Sequence, residues 1–423
     1  MGEPFCRTIC RKELLYSLIL MLGMLTFGYV LVYPSPAIPS MEKTMHISDF
    51  QKTFFNSLTS LAAIFGPFIT GFLLRYFGRK LVTFFIAVLG TIFWLLTFLI
   101  TEKYFWIGLI SRFFLGIVIG GFSQIIPMYI IELSPENATG FFGSLGQLGI
   151  TIGIVILYII GNYLDWFKTA IFGALLTLLL SILIIFVPES PAALKNDNTN
   201  NVKVSIFKKK YLKPLFISIA LNVFQQFSGI NAILTNLSTL FSNAGVKIDI
   251  GLASAISSFA QVISSLCGGF LVELMGRKVS WVVSLSGISL SLFLYALTYK
   301  ISMVSWIPIV IVFTFLLFYG LGAGPIPWYI VNEMFESSTR PQASAISSSC
   351  NWASAFIVLT IFPLMRKYLT EFYCFIIFMV IMLIGAIFGF IFITNSSSDV
   401  NDDECDEMLL EAQFEEKEND SKK

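Results

Sequence analysis

The chain has 423 residues, of which 56% are hydrophobic and 13% are charged. An ordinary soluble protein carries about 25% charged residues, so this composition excludes a water-soluble globular protein. The 27 Lys and Arg residues nearly balance the 26 Asp and Glu residues, which argues against the concentrated basic face of a nucleic-acid-binding protein. At about 20 apolar residues per bilayer crossing, the chain can supply roughly twelve membrane spans and little else.

Apolar runs between polar breaks predict twelve membrane-spanning helices, so the predicted fold class is all-α integral membrane. The first six are predicted at 14–36, 54–74, 81–100, 104–131, 141–163 and 168–187. The second six are predicted at 212–240, 251–272, 279–299, 305–332, 342–366 and 371–394. The first run follows three cations as a signal peptide does, but we interpret it as a retained helix because eleven more spans follow it.

The polar segments divide the chain into two halves of six helices each. We predict a cytosolic N-terminus at 1–13, the halves at 14–187 and 212–394, a short cytosolic linker at 188–211, and an acidic, disordered cytosolic tail at 395–423. With both termini in the cytosol, eighteen of the 27 Lys and Arg residues lie inside and nine lie outside. This distribution follows the positive-inside rule.

Two internal similarities predict that the halves are repeats. The segment 71–80 (GFLLRYFGRK) matches 269–278 (GFLVELMGRK) at six of ten positions. The segment 127–140 matches 327–340 at five of fourteen positions, and the two offsets are 198 and 200 residues. Parallel repeats around a central site are typical of transporters that work by alternating access.

The Gly-Arg-Lys motifs at 78–80 and 276–278 lie in short predicted loops on the cytosolic side. Glu132 and Glu333 lie at the cytosolic ends of spans 4 and 10. We therefore predict that Arg79 and Arg277 pair with these carboxylates and hold the halves together at the cytosolic end.

Neutral amides and two tryptophans are predicted at membrane depth, where polar side chains face a cavity or a neighbouring helix. An amide donates and accepts hydrogen bonds, which suits the hydroxyl groups of a sugar, and an indole ring offers a flat apolar face to a pyranose ring. Hydrogen bonding between helices is the alternative interpretation. These residues are Gln147, Gln225, Gln226, Asn231, Gln261, Trp328, Asn351 and Trp352.

Glycine and proline residues predict bends and close packing at particular places. The segments QQFSGIN (225–231) and GAGPIPW (322–328) predict bends in spans 7 and 10, which are therefore candidate gates. The pairs Gly116/Gly120 and Gly149/Gly153 predict close helix packing instead of ligand contacts.

Together these segments resemble the sugar porters of the major facilitator superfamily, the relatives of the facilitative glucose transporters. The matching segments are GRK (78–80), PMYIIELSP (127–135), GQLGITIGI (146–154), PESP (188–191), QQFSGINAI (225–233), GRK (276–278), GPIPW (324–328), RP (340–341) and NW (351–352). SPAIPSM (35–41) resembles the insect facilitated trehalose-transporter branch. The resemblance implies that the eight amide and indole residues bind sugar. It also implies a cytosolic salt-bridge network of Arg79, Glu132, Arg277, Glu333 and Arg340.

The chain departs from the family's pattern at several positions. Thr139 and Leu274 stand where the family has Arg, and Gln261 stands where Asn is more common. The PETKG-like segment after the last span is absent, and the central linker is short. We therefore expect a weaker cytosolic network and a substrate that can differ from the family's usual one.

The function expected is facilitative transport, by alternating access, of a neutral sugar such as trehalose or glucose across the plasma membrane. The expected partners are a small-molecule sugar and the lipid bilayer, with no nucleic acid and no obligatory protein partner. Residues 27–30 of span 1 carry no carboxylate, where proton-driven porters commonly carry one, so we expect uniport. A GxxxxGK[ST] nucleotide motif is absent, which disfavours ATP-driven transport.

Other functions are weighed against this one. A sugar sensor without transport activity and a transporter of another neutral solute, such as a polyol, stay open as alternatives. An organic anion is disfavoured because no Arg or Lys is predicted at mid-membrane. The six cysteines form no CxxC pair and His46 is the single histidine, so we expect no metal site, no cofactor and no catalytic residues, and therefore no enzyme.

Overall fold

The computed structural model describes residues 11–74, 76–135, 139–190, 206, 208–301, 304–335 and 339–393. Most of the predicted N-terminus (1–10), most of the linker (191–205) and the tail (395–423) lie outside the described residues. Within the described ranges the chain is helical and contains no β-strand.

The described residues of the first half form eight α-helices, because two of its predicted spans are interrupted. They are α1 (Arg11–Val32), α2 (Pro34–Glu42), α3 (Asp49–Ala63), α4 (Gly66–Leu73), α5 (Arg79–Leu96), α6 (Phe105–Leu133), α7 (Thr139–Tyr163) and α8 (Trp166–Leu183). The interruptions follow Tyr33 and Ala63, and a proline stands in the first turn of both α2 and α4. Proline cannot donate a backbone hydrogen bond, so these positions favour a new helix start, which our sequence analysis did not predict.

Where the structure describes it, the second half also forms eight α-helices. They are α9 (Lys209–Phe227), α10 (Ile230–Thr235), α11 (Leu237–Asn243), α12 (Ile250–Met275), α13 (Arg277–Leu297), α14 (Ile307–Phe318), α15 (Ile326–Met334) and α16 (Arg340–Phe392). The predicted bend in span 7 lies at Gly229, whose φ of 78° suits a residue without a Cβ atom. The predicted bend in span 10 is a π-helical turn at Tyr319–Ala323, followed by Pro325.

Eleven helices or helix pairs in the described part are long and apolar enough to cross a bilayer. The last of them covers both predicted spans 11 and 12, and its backbone bends at Thr370, which has a φ of 63° and a ψ of 157°. Because α16 turns there, it crosses twice. The fold is therefore an all-helical membrane protein of twelve crossings in two six-span halves.

The paired glycines lie at close helix contacts, as predicted. A Cβ atom on Gly116 would collide with the backbone oxygen of Thr59 in α3, and one on Gly153 would collide with that of Leu25 in α1. Glycine therefore lets the backbones of α3 and α6, and of α1 and α7, approach directly.

The predicted distribution of charge is wrong at Arg112. The sequence analysis counted Arg112 among the nine cations outside the membrane. It lies two turns inside α6 and is 1% exposed. Its guanidinium donates to the backbone oxygens of Val30 and Phe55, at 2.8 and 3.1 Å. The Tyr33 and Phe55 rings lie within 6.0 Å of the guanidinium carbon, so the charge is held by carbonyl dipoles and aromatic faces.

Candidate substrate cavity and the two ends of the bundle

A cavity between the two halves brings together all eight residues that the sequence analysis singled out. They are Gln147, Gln225, Gln226, Asn231, Gln261, Trp328, Asn351 and Trp352. Apolar side chains, including Phe27, Leu31 and Ile154 of the first half, complete the lining. A few polar groups in an otherwise apolar cleft is the usual composition of a small-molecule site. Sugar binding by these eight residues stays a prediction.

Four of the amides form a continuous chain of hydrogen bonds along one wall of the cavity. Asn231 donates to Oε1 of Gln226 at 2.6 Å, and Gln226 donates to Oδ1 of Asn351 at 2.8 Å. Asn351 in turn donates to Oε1 of Gln225 at 2.7 Å and to Oδ1 of Asn222 at 3.1 Å. All five side chains are buried, so each bond replaces one that water would otherwise make.

The chain of amides ends on the broken helix of span 10. Nε2 of Gln225 donates to the backbone oxygens of Ala323 and Gly324, both at 2.7 Å. Pro327 has no N–H to donate to the oxygen of Ala323, and the N–H of Trp328 donates to Pro325 at 3.1 Å, so the oxygens of Ala323 and Gly324 need donors from elsewhere. Gln225 therefore connects the bend of span 7 to the bend of span 10.

Two polar atoms on the cavity wall, Oε1 of Gln261 and Nε1 of Trp352, have no hydrogen-bond partner among the described residues. Both side chains are 2% exposed. Burying a polar atom without a partner costs free energy, and a sugar hydroxyl is both donor and acceptor, so it could satisfy either atom. These two atoms are thus available to a ligand without breaking a bond inside the protein.

The two tryptophans occupy different environments. Trp352 is buried, and its ring packs against Phe27 of the first half with centroids 5.4 Å apart and planes inclined by 52°. Trp328, on α15, is half-buried. Trp352 therefore contributes to the contact between the halves, whereas Trp328 keeps part of its surface accessible.

One end of the bundle, here called the Ser35 end, is closed by α10 and α11. Ser35 in α2 lies 3.1 Å from Ser238 in α11, measured between their hydroxyl oxygens. Asn56 in α3 donates to Thr235 in α10 at 3.2 Å, and the hydroxyl of Tyr158 in α7 donates to the backbone oxygen of Leu234. These contacts join the two halves and separate the cavity from that end.

The other end, here called the GRK end, carries the first predicted ion pair. Nε and Nη2 of Arg79 each lie 3.1 Å from one carboxylate oxygen of Glu132. Both side chains are largely buried, at 13% and 17% exposure. This pair lies within the first half, where it connects the start of α5 to the end of α6, so the prediction that it holds the two halves together is wrong.

Sequence analysis missed the part of this network that follows α8. Glu189 accepts from the backbone N–H of Arg79 at 2.8 Å, so it caps the start of α5. Ser190 donates to the carboxylate of Glu132, and the Tyr129 hydroxyl donates to the backbone oxygen of Pro188 at 2.5 Å. The PESP segment at 188–191 was the available signal, because it places a carboxylate directly after a span.

The second predicted ion pair lies partly outside the described residues. Arg277 begins α13 after Gly276, whose φ of 77° turns the chain. The side chains of Glu333 and Arg340 lie outside the described part of the structure. Their pairing with Arg277, and any ion pair between the halves at the GRK end, stay predictions.

Comparison with known proteins identifies the family. Residues 16–199 and 192–399 match the family described as Sugar (and other) transporter. The Sugar transporter ERD6-like 6 of Arabidopsis thaliana is 29% identical, with coverage of 81% of this chain and 79% of the relative. The Facilitated trehalose transporter Tret1 of Bombyx mori is 28% identical, with coverage of 85% of this chain and 80% of the relative.

A solved structure shares the fold. The inward-open conformation of the xylose transporter XylE from E. coli superposes with a TM-score of 0.79 at 22% identity, covering 91% of this chain and 97% of that chain. The two chains therefore share the same helical fold. Since the family model matches both halves, the chain belongs to the Sugar (and other) transporter family.

Proposed function

We propose that the chain is a facilitative transporter of a neutral sugar, with trehalose and glucose as the first candidates. The observation that carries this proposal is the cavity between the halves, which contains six amides and two indole rings. Amides match the hydroxyl groups of a sugar, and the relatives named as trehalose transporters favour trehalose. The proposed sugar-binding residues are the eight amide and indole residues of the cavity lining.

The cavity favours uniport. Among the described residues that line it there is no Asp, Glu, Lys or Arg, so substrate binding brings no side-chain charge to neutralise or to titrate. The buried Arg112 is held by backbone oxygens at the Ser35 end and is not part of the lining. A neutral substrate that moves down its own gradient fits this surface better than an anion or a proton-coupled sugar.

The distribution of Lys and Arg residues indicates how the chain is oriented in the membrane. We infer that the GRK end faces the cytosol, because eighteen of the 27 Lys and Arg residues then lie inside. Both termini would be cytosolic, and the plasma membrane is the proposed location. In this orientation α10 and α11 close the extracellular end, so the sugar would leave the cavity toward the cytosol.

Alternating access can use the bonds described above. A sugar that donates to Gln261 and accepts from Trp352 would fill the two unsatisfied atoms first. Further hydroxyls would exchange with the bonds of the amide chain, including those that Gln225 makes to span 10. Substrate binding would thereby loosen both bends, and the halves would reorient around the cavity.

Counterflow in proteoliposomes tests this proposal. Purified protein is reconstituted without an ion gradient, the vesicles are loaded with unlabelled sugar, and uptake of labelled trehalose or glucose is followed. Gln225→Ala removes a cavity amide, and Gln124→Ala serves as the matched control. Gln124 is a half-buried glutamine in α6 that does not line the cavity.

Counterflow of either sugar, lost in Gln225→Ala and kept in Gln124→Ala, would support the proposal and choose the substrate. Binding of a sugar without counterflow would overturn transport in favour of a sensor. If neither sugar binds, labelled polyols are the next candidates, and the sugar assignment is wrong.

A further inference from the structure

The helices α10 and α11 form a gate segment (residues 230–243) whose helical path is broken at two points. Gly229 precedes it with a φ of 78°, and Asn236 separates α10 from α11 with a φ of −116° and a ψ of 12°. The polar contacts of the gate segment with Ser35, Asn56 and Tyr158 all reach the other half of the protein. Alternating access must break these contacts whenever the Ser35 end opens.

A different contact fixes the far end of the gate segment to its own half. Asn243, the last residue of α11, donates from Nδ2 to Oε1 of Glu371 at 2.9 Å. The same oxygen accepts from Nε of Arg366 at 2.9 Å and from its Nη2 at 2.5 Å. The Arg366 and Glu371 side chains are 21% and 14% exposed, so water screens this pair only partly.

The backbone beside Glu371 is strained. Thr370 has a φ of 63°, which a β-branched residue rarely adopts, and it forms the corner at which α16 turns back. Such a conformation persists when the surrounding contacts require it. The three hydrogen bonds on Glu371, two from one side of the corner and one from the gate segment, are contacts of this kind.

We propose that Glu371, held by Arg366, is the anchor that keeps the gate segment attached to the second half when the halves separate. Without it, α11 would lose this polar contact with the second half, and the packing of buried side chains such as Leu240 and Phe241 would have to restrain it about the break at Asn236. With it, the gate segment travels with α16, and the Ser35 end opens as one unit. This inference concerns the gate itself and does not depend on which substrate the cavity binds.

Hydrogen–deuterium exchange of the full-length protein in lipid nanodiscs tests the anchor without any substrate. Asn243 is exposed, so Asn243→Ala should fold normally, and Glu371→Leu removes the other partner. The control is Lys52→Met, which breaks an ion pair of 2.6 Å with Glu42 at the same end but within the first half. Exchange is compared between peptides from 237–243 and peptides from α9, α13 and α16.

Asn243→Ala and Glu371→Leu should each raise the exchange rate of 237–243 by about tenfold, because a hydrogen bond to a carboxylate is lost. The double variant should exchange no faster than the faster single variant, and Lys52→Met should leave this peptide unchanged. Unchanged exchange at 237–243 in both single variants would overturn the anchor. An equal rise in α9, α13 and α16 would also overturn it, since the contact would then stabilise the whole half and not the gate.

Discussion

Asn351 donates a hydrogen bond of 2.7 Å from Nδ2 to Oε1 of Gln225 and so joins the second half's α16 to its α9 beside the cavity. Its Oδ1 accepts from Gln226 at 2.8 Å, so one side chain holds both glutamines in place. The two glutamines are adjacent in sequence but have different partners. Gln226 accepts a hydrogen bond from Asn231 in the gate segment, whereas Gln225 donates to the backbone of the bend in span 10. Asn351 is therefore the branch point of the amide chain.

Asn351→Leu keeps the size of the side chain and removes its hydrogen bonds. The amides of Gln225 and Gln226 would each lose a buried partner, at a cost of about 1–3 kcal/mol apiece. We expect thermal unfolding in detergent at a lower temperature than for the wild type, and counterflow at least about tenfold slower.

Thr314→Val is the control for this change, because it removes a hydroxyl on a half-buried residue that bonds only to the backbone of its own helix among the described residues. It should alter neither stability nor counterflow. If Asn351→Leu unfolds at the same temperature as Thr314→Val, the amide chain does not contribute to stability.

Gln261→Leu should separate substrate binding from stability. Oε1 of Gln261 has no partner in the part of the chain that the structure describes, so its removal leaves no other group there unsatisfied. We expect unfolding at an unchanged or higher temperature. The apparent affinity for the sugar should fall about tenfold or more, because the hydroxyl that binds this oxygen loses its partner.

The unfolding temperature and the apparent sugar affinity should be measured on the same preparation, so that the two effects can be compared directly. Gln261→Asn is the conservative comparison, since it keeps the amide but shortens it by one methylene group. A loss of stability equal to that of Asn351→Leu would show that Gln261 has an internal structural role, contrary to the prediction.

The residue types of the cavity could be predicted from the sequence, but the connections between them could not. Amides and tryptophans are improbable at membrane depth unless they face a cavity or another helix, so their presence alone was informative. Which amide pairs with which depends on side-chain rotamers and on helix rotation. Asn222 belongs to the chain through its contact with Asn351, yet nothing in its sequence context distinguishes it.

The positions of the helices followed from apolar runs, whereas their internal breaks followed only in part. Gly229 and the glycines and prolines of 322–328 predicted the bends of spans 7 and 10. The interruptions at Tyr33 and after Ala63 were missed because the apolar runs continue through them. Arg112 was misplaced for a related reason: a single cation inside a long apolar run can be held by backbone oxygens, which the sequence does not reveal.

The Arg79–Glu132 pair should contribute measurably to the first half. Because both side chains are mostly buried, a double-mutant cycle with Arg79→Met and Glu132→Leu should give a coupling free energy of about 1–2 kcal/mol in chemical unfolding. Either single change also disturbs Ser190, which donates to Glu132.

The exposed pair of Lys168 and Asp165, 3.7 Å apart at 60% and 73% exposure, is the control cycle. Its coupling should be about 0.3 kcal/mol or less, because water and salt screen it. Equal coupling in the two cycles would contradict a special role for the pair at the GRK end.

Transport should not respond to a proton gradient. Among the described residues, the cavity lining holds no carboxylate that could bind a proton together with the sugar. In span 1, the backbone oxygen of Val30 accepts a hydrogen bond from the guanidinium of Arg112, and the Val30 side chain cannot titrate. We therefore expect equal rates of net sugar uptake into proteoliposomes with and without an inward proton gradient. A pH-sensitive dye inside the vesicles should record no acidification that follows sugar entry. Acidification in a fixed ratio to sugar entry would show symport, provided that a protonophore abolishes both the acidification and any concentrative sugar uptake. The proton-binding group would then lie outside the lining of this cavity.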